Sequence, residues 1–309
     1  MPKLEYNDYW FNYCFDTDPQ EIKNHIREQY ISSQNLKIHL DVYDNDQSSF
    51  DGTIIFLHGT SVYSRFYAEF LFNFFKRGYR IIAPDMIGHG LSEGIRGHFT
   101  MNQFSKTVYD VNSYALEKYG DKNILMGSSL GGINTLYSIA FDNRFKGAIC
   151  HNAAIFNEKA YKKIIKMNLF LKLILPLVPI GAKIMPKGKL NTTIYLDFKK
   201  LAKTKRVLDR MDTLMKDPLL TLKYTLTSLR TQMKDPMVKP IEKVSTPIMF
   251  INGDEDILFS ANYMEELYQR LTCKTKQLKI IKRASHLIFQ ENIPEVLKAI
   301  VPWLQVVLN

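Results

Sequence analysis

Asn123-Ile124-Leu125-Met126-Gly127-Ser128-Ser129-Leu130-Gly131-Gly132-Ile133-Asn134-Thr135-Leu136-Tyr137 joins a short apolar run, a serine turn bracketed by glycines, and a helix-compatible segment. A Gly-x-Ser-x-Gly match arises easily by chance, because small residues and serine are common. Here the match follows a strand-like run and opens a helix-like one, which is the setting a nucleophile elbow requires. In such an elbow the serine adopts a strained backbone so that its hydroxyl projects, and side chains at 127 and 131 would collide with neighbouring backbone.

The segments around this turn set the fold class. Lys37 to Tyr43 alternates with period two, as a half-exposed strand would, whereas Thr53 to Leu57, Arg80 to Ala83 and Asn123 to Met126 are continuous apolar runs. Such runs are the pattern of parallel strands covered on both faces. Helix-compatible stretches lie between them, at about 63 to 76 and 102 to 118, the second opened by the capping-box pair Thr100 and Gln103. The pattern resumes at Pro247 to Ile251 and Gln277 to Ile281, and a last helix is expected over about 294 to 307. The alternation implies an α/β fold with a mostly parallel central sheet flanked by helices. Residues 155 to 240 interrupt it, which divides the chain into a first core part (1–154, with an N-terminal extension over 1–35), an insertion (155–240) and a second core part (241–309).

Charge separates the same parts. The net charge is +10, yet residues 155–240 hold 19 Lys and Arg against 6 Asp and Glu, and the remainder is slightly acidic. A sign asymmetry of this kind reports on surface partners more than on fold. Cys14, Cys150 and Cys273 are few, odd in number and scattered, without metal-ligand spacing, so neither a disulfide framework nor a metal site is expected, and no cofactor. The N-terminal residues lack the apolar core of a secretory signal. No segment reaches the roughly 18 apolar residues of a membrane span; the most apolar, Leu173 to Ala182, is broken by Pro176 and Pro179. A cytoplasmic protein, with peripheral contact at a membrane surface as the accompanying reading, is the expectation.

A serine hydroxyl at neutral pH needs a base, and the base needs a carboxylate to orient it. After the insertion, the run ending at Ile251 leads into Asn252-Gly253-Asp254-Glu255-Asp256, and the last strand leads into Arg283-Ala284-Ser285-His286. Of seven histidines, only His286 follows the last strand. Both candidates sit just past strand C-terminal ends, the edge where a parallel sheet binds ligands. Ser129, Asp256 and His286 are therefore the candidate nucleophile, acid and base, with Asp254 and Glu255 open as rival acids and Asp85 a rival out of chain order. A tetrahedral intermediate also needs hydrogen-bond donors. The backbone N–H of Leu130 is one candidate, and that of Thr60, in the loop after Thr53 to Leu57, is the other. His58 and Gly59 read as residues that shape this loop.

His58-Gly59, the block Pro84-Asp85-Met86-Ile87-Gly88-His89-Gly90-Leu91-Ser92-Glu93-Gly94, the elbow, Gly253-Asp254-Glu255-Asp256 and Ser285-His286 follow one another as in the α/β-hydrolase superfamily, which this chain resembles over about 36 to 155 and 240 to 309. The GHGLSEG stretch with Ile95-Arg96-Gly97 is similar to the monoacylglycerol lipase and lysophospholipase branch. The resemblance implies a helical cap inserted after the sixth strand, triad roles for Ser129, Asp256 and His286, and a core-shaping turn around Asp85 and His89. It implies cleavage of an acyl ester such as a monoacylglycerol or lysophospholipid. Thioester or peptide hydrolysis by the same triad, or a non-catalytic lipid-binding role, are the alternatives. Serine at 129 argues against dehalogenases and epoxide hydrolases, which would place aspartate there.

The insertion mixes Lys199-Lys200, Lys203 and Lys205-Arg206 with apolar residues and six of the 12 methionines. One reading is a lid with an apolar underside and solvated lysines. The other is that Leu169 to Leu175 lines an acyl-chain entrance while the lysines attract an anionic membrane. Nucleic acid is not an expected partner, since basic residues alternate with lipophilic ones and no binding module is present.

Overall fold

The apolar runs form the centre of an eight-stranded sheet in the computed structural model, which describes residues 6–45, 50–158 and 173–309. The strands in chain order are β1 (Ile26–Ser33), β2 (Leu36–Tyr43), β3 (Gly52–Leu57), β4 (Tyr79–Pro84), β5 (Asn123–Ser128), β6 (Gly147–His151), β9 (Ile248–Gly253) and β10 (Lys276–Ile281). A separate small sheet pairs β7 (Lys189–Asn191) with β8 (Lys223–Thr225). The large sheet runs β1-β2-β4-β3-β5-β6-β9-β10, antiparallel at β1, β2 and β4 and parallel from β4 onward.

Every residue of β3, β5, β6 and β9 is buried. Successive side chains of a strand point to opposite faces, and the core divides accordingly. Ile55, Leu57, Leu125, Cys150 and Phe250 belong to one apolar cluster, and Ile54, Phe56, Ile124, Met126 and Ile149 to the other. The first cluster is covered by α3 (Met101–Tyr119) and α4 (Leu130–Phe141), which follow α1 (Pro19–Lys23) and α2 (Ala68–Phe75) in the chain. The second is covered by α2 and by the last helix, Ile293–Leu308. α3 starts at the expected capping box: Gln103 N–H donates to Thr100 Oγ1 at 3.1 Å and Thr100 N–H to Gln103 Oε1 at 2.9 Å.

Strand β2, expected to be half-exposed, is buried from Ile38 to Tyr43, and three further features differ from the sequence reading. The N-terminal extension supplies the edge strand β1. The stretch expected as one helix over 63 to 76 begins as a 3-10 turn, Ser64–Tyr67, and is α-helical only from Ala68. The insertion is not purely helical. It carries α5 (Val178–Ile184), β7, α6 (Phe198–Leu201), α7 (Lys205–Leu214), β8 and α8 (Leu226–Lys234), after which come β9, α9 (Ala261–Arg270), β10, α10 (Ile288–Glu291) and α11 (Ile293–Leu308). Because β6 and β9 are paired neighbours, the chain leaves the sheet after its sixth strand and returns beside it. Strand order reverses around β3, which lies between β4 and β5, and the loops after β3 and β5 meet there as the parallel-sheet rule requires.

Candidate active site

Ser129 stands between β5 and α4 with φ 56° and ψ −117°. A non-glycine residue in this region is strained, at a cost of order 1–3 kcal/mol, and persists only where its surroundings impose it. They do so here. The Ser129 N–H donates to the carbonyl of His151 at 2.9 Å, and the turn is pressed between β3 and β6. A Cβ at Gly131 would lie 2.0 Å from the Leu57 carbonyl oxygen, and one at Gly127 would lie 2.2 Å from that of Gly131. Both glycines of the motif are thus required by close approach. The Ser129 hydroxyl makes no hydrogen bond with any described residue.

His286 is buried, and its Nδ1 lies 2.8 Å from Asp256 Oδ2. Asp256 accepts from every side. Asn152 Nδ2 donates to Oδ2 at 3.0 Å, and the N–H groups of Leu258 and Phe259 donate to Oδ1 at 2.8 and 3.0 Å. Burial alone would raise the carboxyl pKa, but the His286 ring and the Phe259 N–H outweigh it and hold the group below the usual aspartate value. An ionised Asp256 accepts from Nδ1–H of His286, which leaves Nε2 as the basic nitrogen. The neighbouring acids face elsewhere. Asp254 Oδ1 accepts from the Ala284 N–H at 3.3 Å, and Glu255 pairs with Lys203 at 2.5 Å. Among the three acids after β9, the geometry therefore singles out Asp256.

Thr60, Ser129 and Leu130 border one pocket, and neither the Thr60 N–H nor the Leu130 N–H donates to a described residue. His58 shapes the loop before Thr60. Its Nε2 accepts from the Met86 N–H at 3.0 Å, so Nδ1 carries the proton and donates to the Gly59 carbonyl at 3.0 Å. Burial lowers the His58 pKa and keeps the ring neutral in that tautomer. At Gly59 a Cβ would come within 3.4 Å of the Ser129 Cβ, which is the close approach expected of it. Asp85 bonds elsewhere: buried, it accepts from the Ser64 and Leu91 N–H groups at 2.8 Å each and faces His39 Nδ1 at 3.1 Å. It organises the turn, as expected.

The pocket has an empty volume of about 990 Å³ including its open mouth. Among the described residues its wall is apolar apart from Thr60, Ser129, Tyr195 and Gln232, with no acidic or basic side chain in the lining. Leu190, Ile194, Leu196, Leu229 and Met233 come from the insertion, as do Ile174 and Leu175. Of the expected entrance Leu169 to Leu175, residues 169–172 lie outside the described residues. Phe259, also in the lining, stacks on the His286 ring at 5.8 Å between centroids.

The family described as serine aminopeptidase, S33, matches residues 48–293. The chain belongs to this hydrolase family. No curated protein matches the sequence. Among solved structures, this S33 member is similar to the monoacylglycerol lipase of Paleococcus ferrophilus (22% identity, 91% of this chain and 99% of that one, TM-score 0.71). It is also similar to a soluble variant of monoglyceride lipase from Saccharomyces cerevisiae in complex with a substrate analog (19%, 91% and 96%, TM-score 0.76) and to a highly thermostable carboxyl esterase from Bacillus coagulans in complex with glycerol (19%, 92% and 99%, TM-score 0.72). At these identities the likeness is one of fold, and the fold is the α/β-hydrolase fold.

The S33 site contains residues that the sequence reading missed. His151, at the end of β6, bonds Ser128 Oγ through Nδ1 at 2.8 Å, and its ring lies 5.5 Å from that of His286. Burial, followed by the His286 ring, lowers its pKa to about 3, so it stays neutral. Asn152 holds Asp256 from a left-handed backbone position, φ 65°, and Asn252 supports Asn152. The signal available was position: both 151 and 152 follow a sheet strand at its ligand-binding edge. Ligand atoms of His151, Asp256 and His286 lie within 4.8 Å of one another, close enough for a metal ion. The bond of His286 to Asp256 and that of His151 to Ser128 instead match a hydrogen-bonded acid–base pair with a separate neutral histidine beside it. In the second such group, Glu28, His39 and Asp41, the Arg65 guanidinium already supplies a cation.

Proposed function

We propose that this chain is a serine hydrolase that cleaves a carboxylic ester with an extended acyl chain, such as a monoacylglycerol or lysophospholipid, through an acyl-enzyme. The observation that carries the reading is the strained Ser129 at the wall of an apolar pocket, together with the His286–Asp256 hydrogen bond at the same sheet edge. In the proposed mechanism His286 Nε2 takes the proton as Ser129 Oγ attacks the ester carbonyl, and the imidazolium is stabilised by Asp256. The N–H groups of Thr60 and Leu130 receive the oxyanion. The imidazolium then protonates the departing alcohol, and a water activated by the same nitrogen releases the fatty acid and frees Ser129.

Pocket chemistry favours an acyl group over a peptide. An aminopeptidase must neutralise the α-ammonium of its substrate, and among the described lining residues there is no carboxylate to do so. Each buried methylene contributes about 0.8 kcal/mol, so a wall of this composition rewards chain length. The test is a series of p-nitrophenyl esters from acetate to laurate, with the matching thioesters and an aminoacyl p-nitroanilide. The reading expects kcat/KM to rise with acyl length and the anilide to be inert. Preferential turnover of the anilide would overturn it.

We further propose that the insertion rests on an anionic membrane. The lysines expected to carry this are largely engaged: Lys199 pairs with Asp212, Lys200 with Asp197, Lys203 with Glu255, Lys205 with Asp209 and Arg206 with Asp16. Lys183, Lys187 and Lys189 form no ion pair among the described residues, and along the chain they follow or interleave with Leu177, Ile180, Ile184 and Met185, whose side chains are exposed. No described helix is long and apolar enough to cross a membrane. Co-sedimentation with anionic and with neutral vesicles, at low and high salt, tests this; equal binding to both would refute it.

A further inference from the structure

Ser61 follows the oxyanion donor Thr60, is fully buried, and holds φ 68° without being glycine. Each of its polar groups is bonded to the insertion. Its N–H donates to Tyr224 Oη at 2.9 Å, its carbonyl accepts from the Thr221 N–H at 2.8 Å, and its hydroxyl lies 3.0 Å from Thr192 Oγ1. Thr192 Oγ1 donates its own proton to the Leu222 carbonyl, so it accepts from Ser61.

Tyr224 is anchored in turn. His89 Nδ1 faces the Ile87 carbonyl at 3.0 Å and must donate there; Nε2 is therefore an acceptor, and the Tyr224 hydroxyl, 3.0 Å away, donates to it. His89 keeps this neutral form because burial, with the nearby His58, lowers its pKa to about 3. The Thr225 N–H donates to the Gly97 carbonyl at 3.0 Å, and Arg96 bridges the carbonyls of Gly90 and Leu219. Thr192 and Tyr224 sit at the β7–β8 pair, so one small sheet grips a single strained residue of the core loop.

We propose that Tyr224 and Thr192 are positioning residues for the reaction: by clamping Ser61 from the insertion, they aim the Thr60 N–H at the developing oxyanion. The inference rests on the oxyanion role given to Thr60 above. A left-handed serine relaxes unless its surroundings over-determine it, and here they are supplied across 131 to 163 residues of sequence. The β7–β8 pair is thus part of the catalytic frame, and any opening of the pocket has to occur elsewhere in the insertion.

The experiment compares parent, Tyr224→Phe, Thr192→Val and Thr192→Ser in kcat per fluorophosphonate-titrated site, in KM, and in inhibition by a trifluoromethyl ketone of the same acyl length. Loss of a whole oxyanion donor costs about 10²–10³ in kcat, and misaiming one costs part of that. Tyr224→Phe is expected to lower kcat per titrated site by about ten- to a hundredfold, with KM within about twofold and ketone affinity falling in proportion. Thr192→Val should fall by a smaller factor and Thr192→Ser should match the parent. A purely structural role would reduce the number of titrated sites and leave kcat per site unchanged, which overturns the clamp. Should Tyr224→Phe fail to fold, Thr192→Val decides: parent-level kcat per site refutes the inference, and a matched loss of kcat and ketone affinity upholds it. A parent that neither labels nor turns over ester removes the hydrolase reading itself, and the clamp with it.

Discussion

Replacing Asp256 with asparagine changes one atom and tests the proposed acid most sharply. Oδ1 accepts from two backbone N–H groups, those of Leu258 and Phe259, which are fixed in place. The amide oxygen of an asparagine would take that position, because its NH2 would otherwise oppose both donors. The NH2 then faces His286 Nδ1 and Asn152 Nδ2, where Oδ2 now accepts at 2.8 and 3.0 Å. His286 can meet it only as the tautomer with Nδ1 unprotonated, which puts the proton on Nε2 and removes the base. A carboxylate that locks the tautomer in this way is worth about 10⁴ in kcat, or about 5.5 kcal/mol in the barrier. Asp254→Asn disturbs a 3.3 Å bond from Ala284 and a 3.7 Å pairing with the exposed Lys282, and should stay within about threefold, a loss of under 1 kcal/mol in the barrier. The assay is ester hydrolysis by both variants with KM measured alongside. Equal activities, or the larger loss in Asp254→Asn, would refute the assignment.

His286→Ala should lose activity by at least about the same 10⁴, since interdependent triad members fail together. In Leu190→Trp, an indole at the pocket wall should displace about four methylenes of a long acyl chain, about 3 kcal/mol or roughly a hundredfold in kcat/KM for laurate, and leave acetate nearly unchanged; a uniform loss across chain lengths would count against the pocket as the acyl site. His89 and His151 are held neutral to about 3 by burial. Their pKa values lie below the ordinary 6.5 of the unfolded chain, so stability is fully present above pH 6.5 and is lost as pH falls toward 3. Denaturant titrations at pH 7 and 4.5 should therefore show a smaller stability difference in His151→Gln than in the parent, by about 2–3 kcal/mol, and an unchanged difference would contradict the burial argument.

Much of this was legible because burial on both faces leaves a simple trace. β3, β5 and β9 each hold a run of three or four apolar side chains, and the serine turn and Asp256 come directly after, or close behind, such a strand, while His286 follows the edge strand β10. β1 left no comparable trace: Ile26 to Ser33 is an edge strand with most of its side chains partly or fully exposed, so Arg27, Glu28 and Gln29 are tolerated. β6 is five residues long and made of Gly147-Ala148-Ile149-Cys150-His151, too short and too small in side chain to read as an apolar run. The choice among Asp254, Glu255 and Asp256 depends on the turn geometry after β9, which spacing does not encode. The ties of Ser61 to Thr192 and Tyr224 join residues far apart in the chain, and the ion pairs of Lys203 with Glu255 and Arg206 with Asp16 do likewise. Local patterns foretell strands and turns, whereas these contacts exist only once the insertion has packed onto the core.

The proposal stands or falls on Ser129. Treatment of the parent with a fluorophosphonate, followed by peptide mapping of the adduct, should place a single modification on the peptide containing Ser129 and none in Ser129→Ala. An adduct on Ser128 or Ser61, or an unmodified parent, would contradict it.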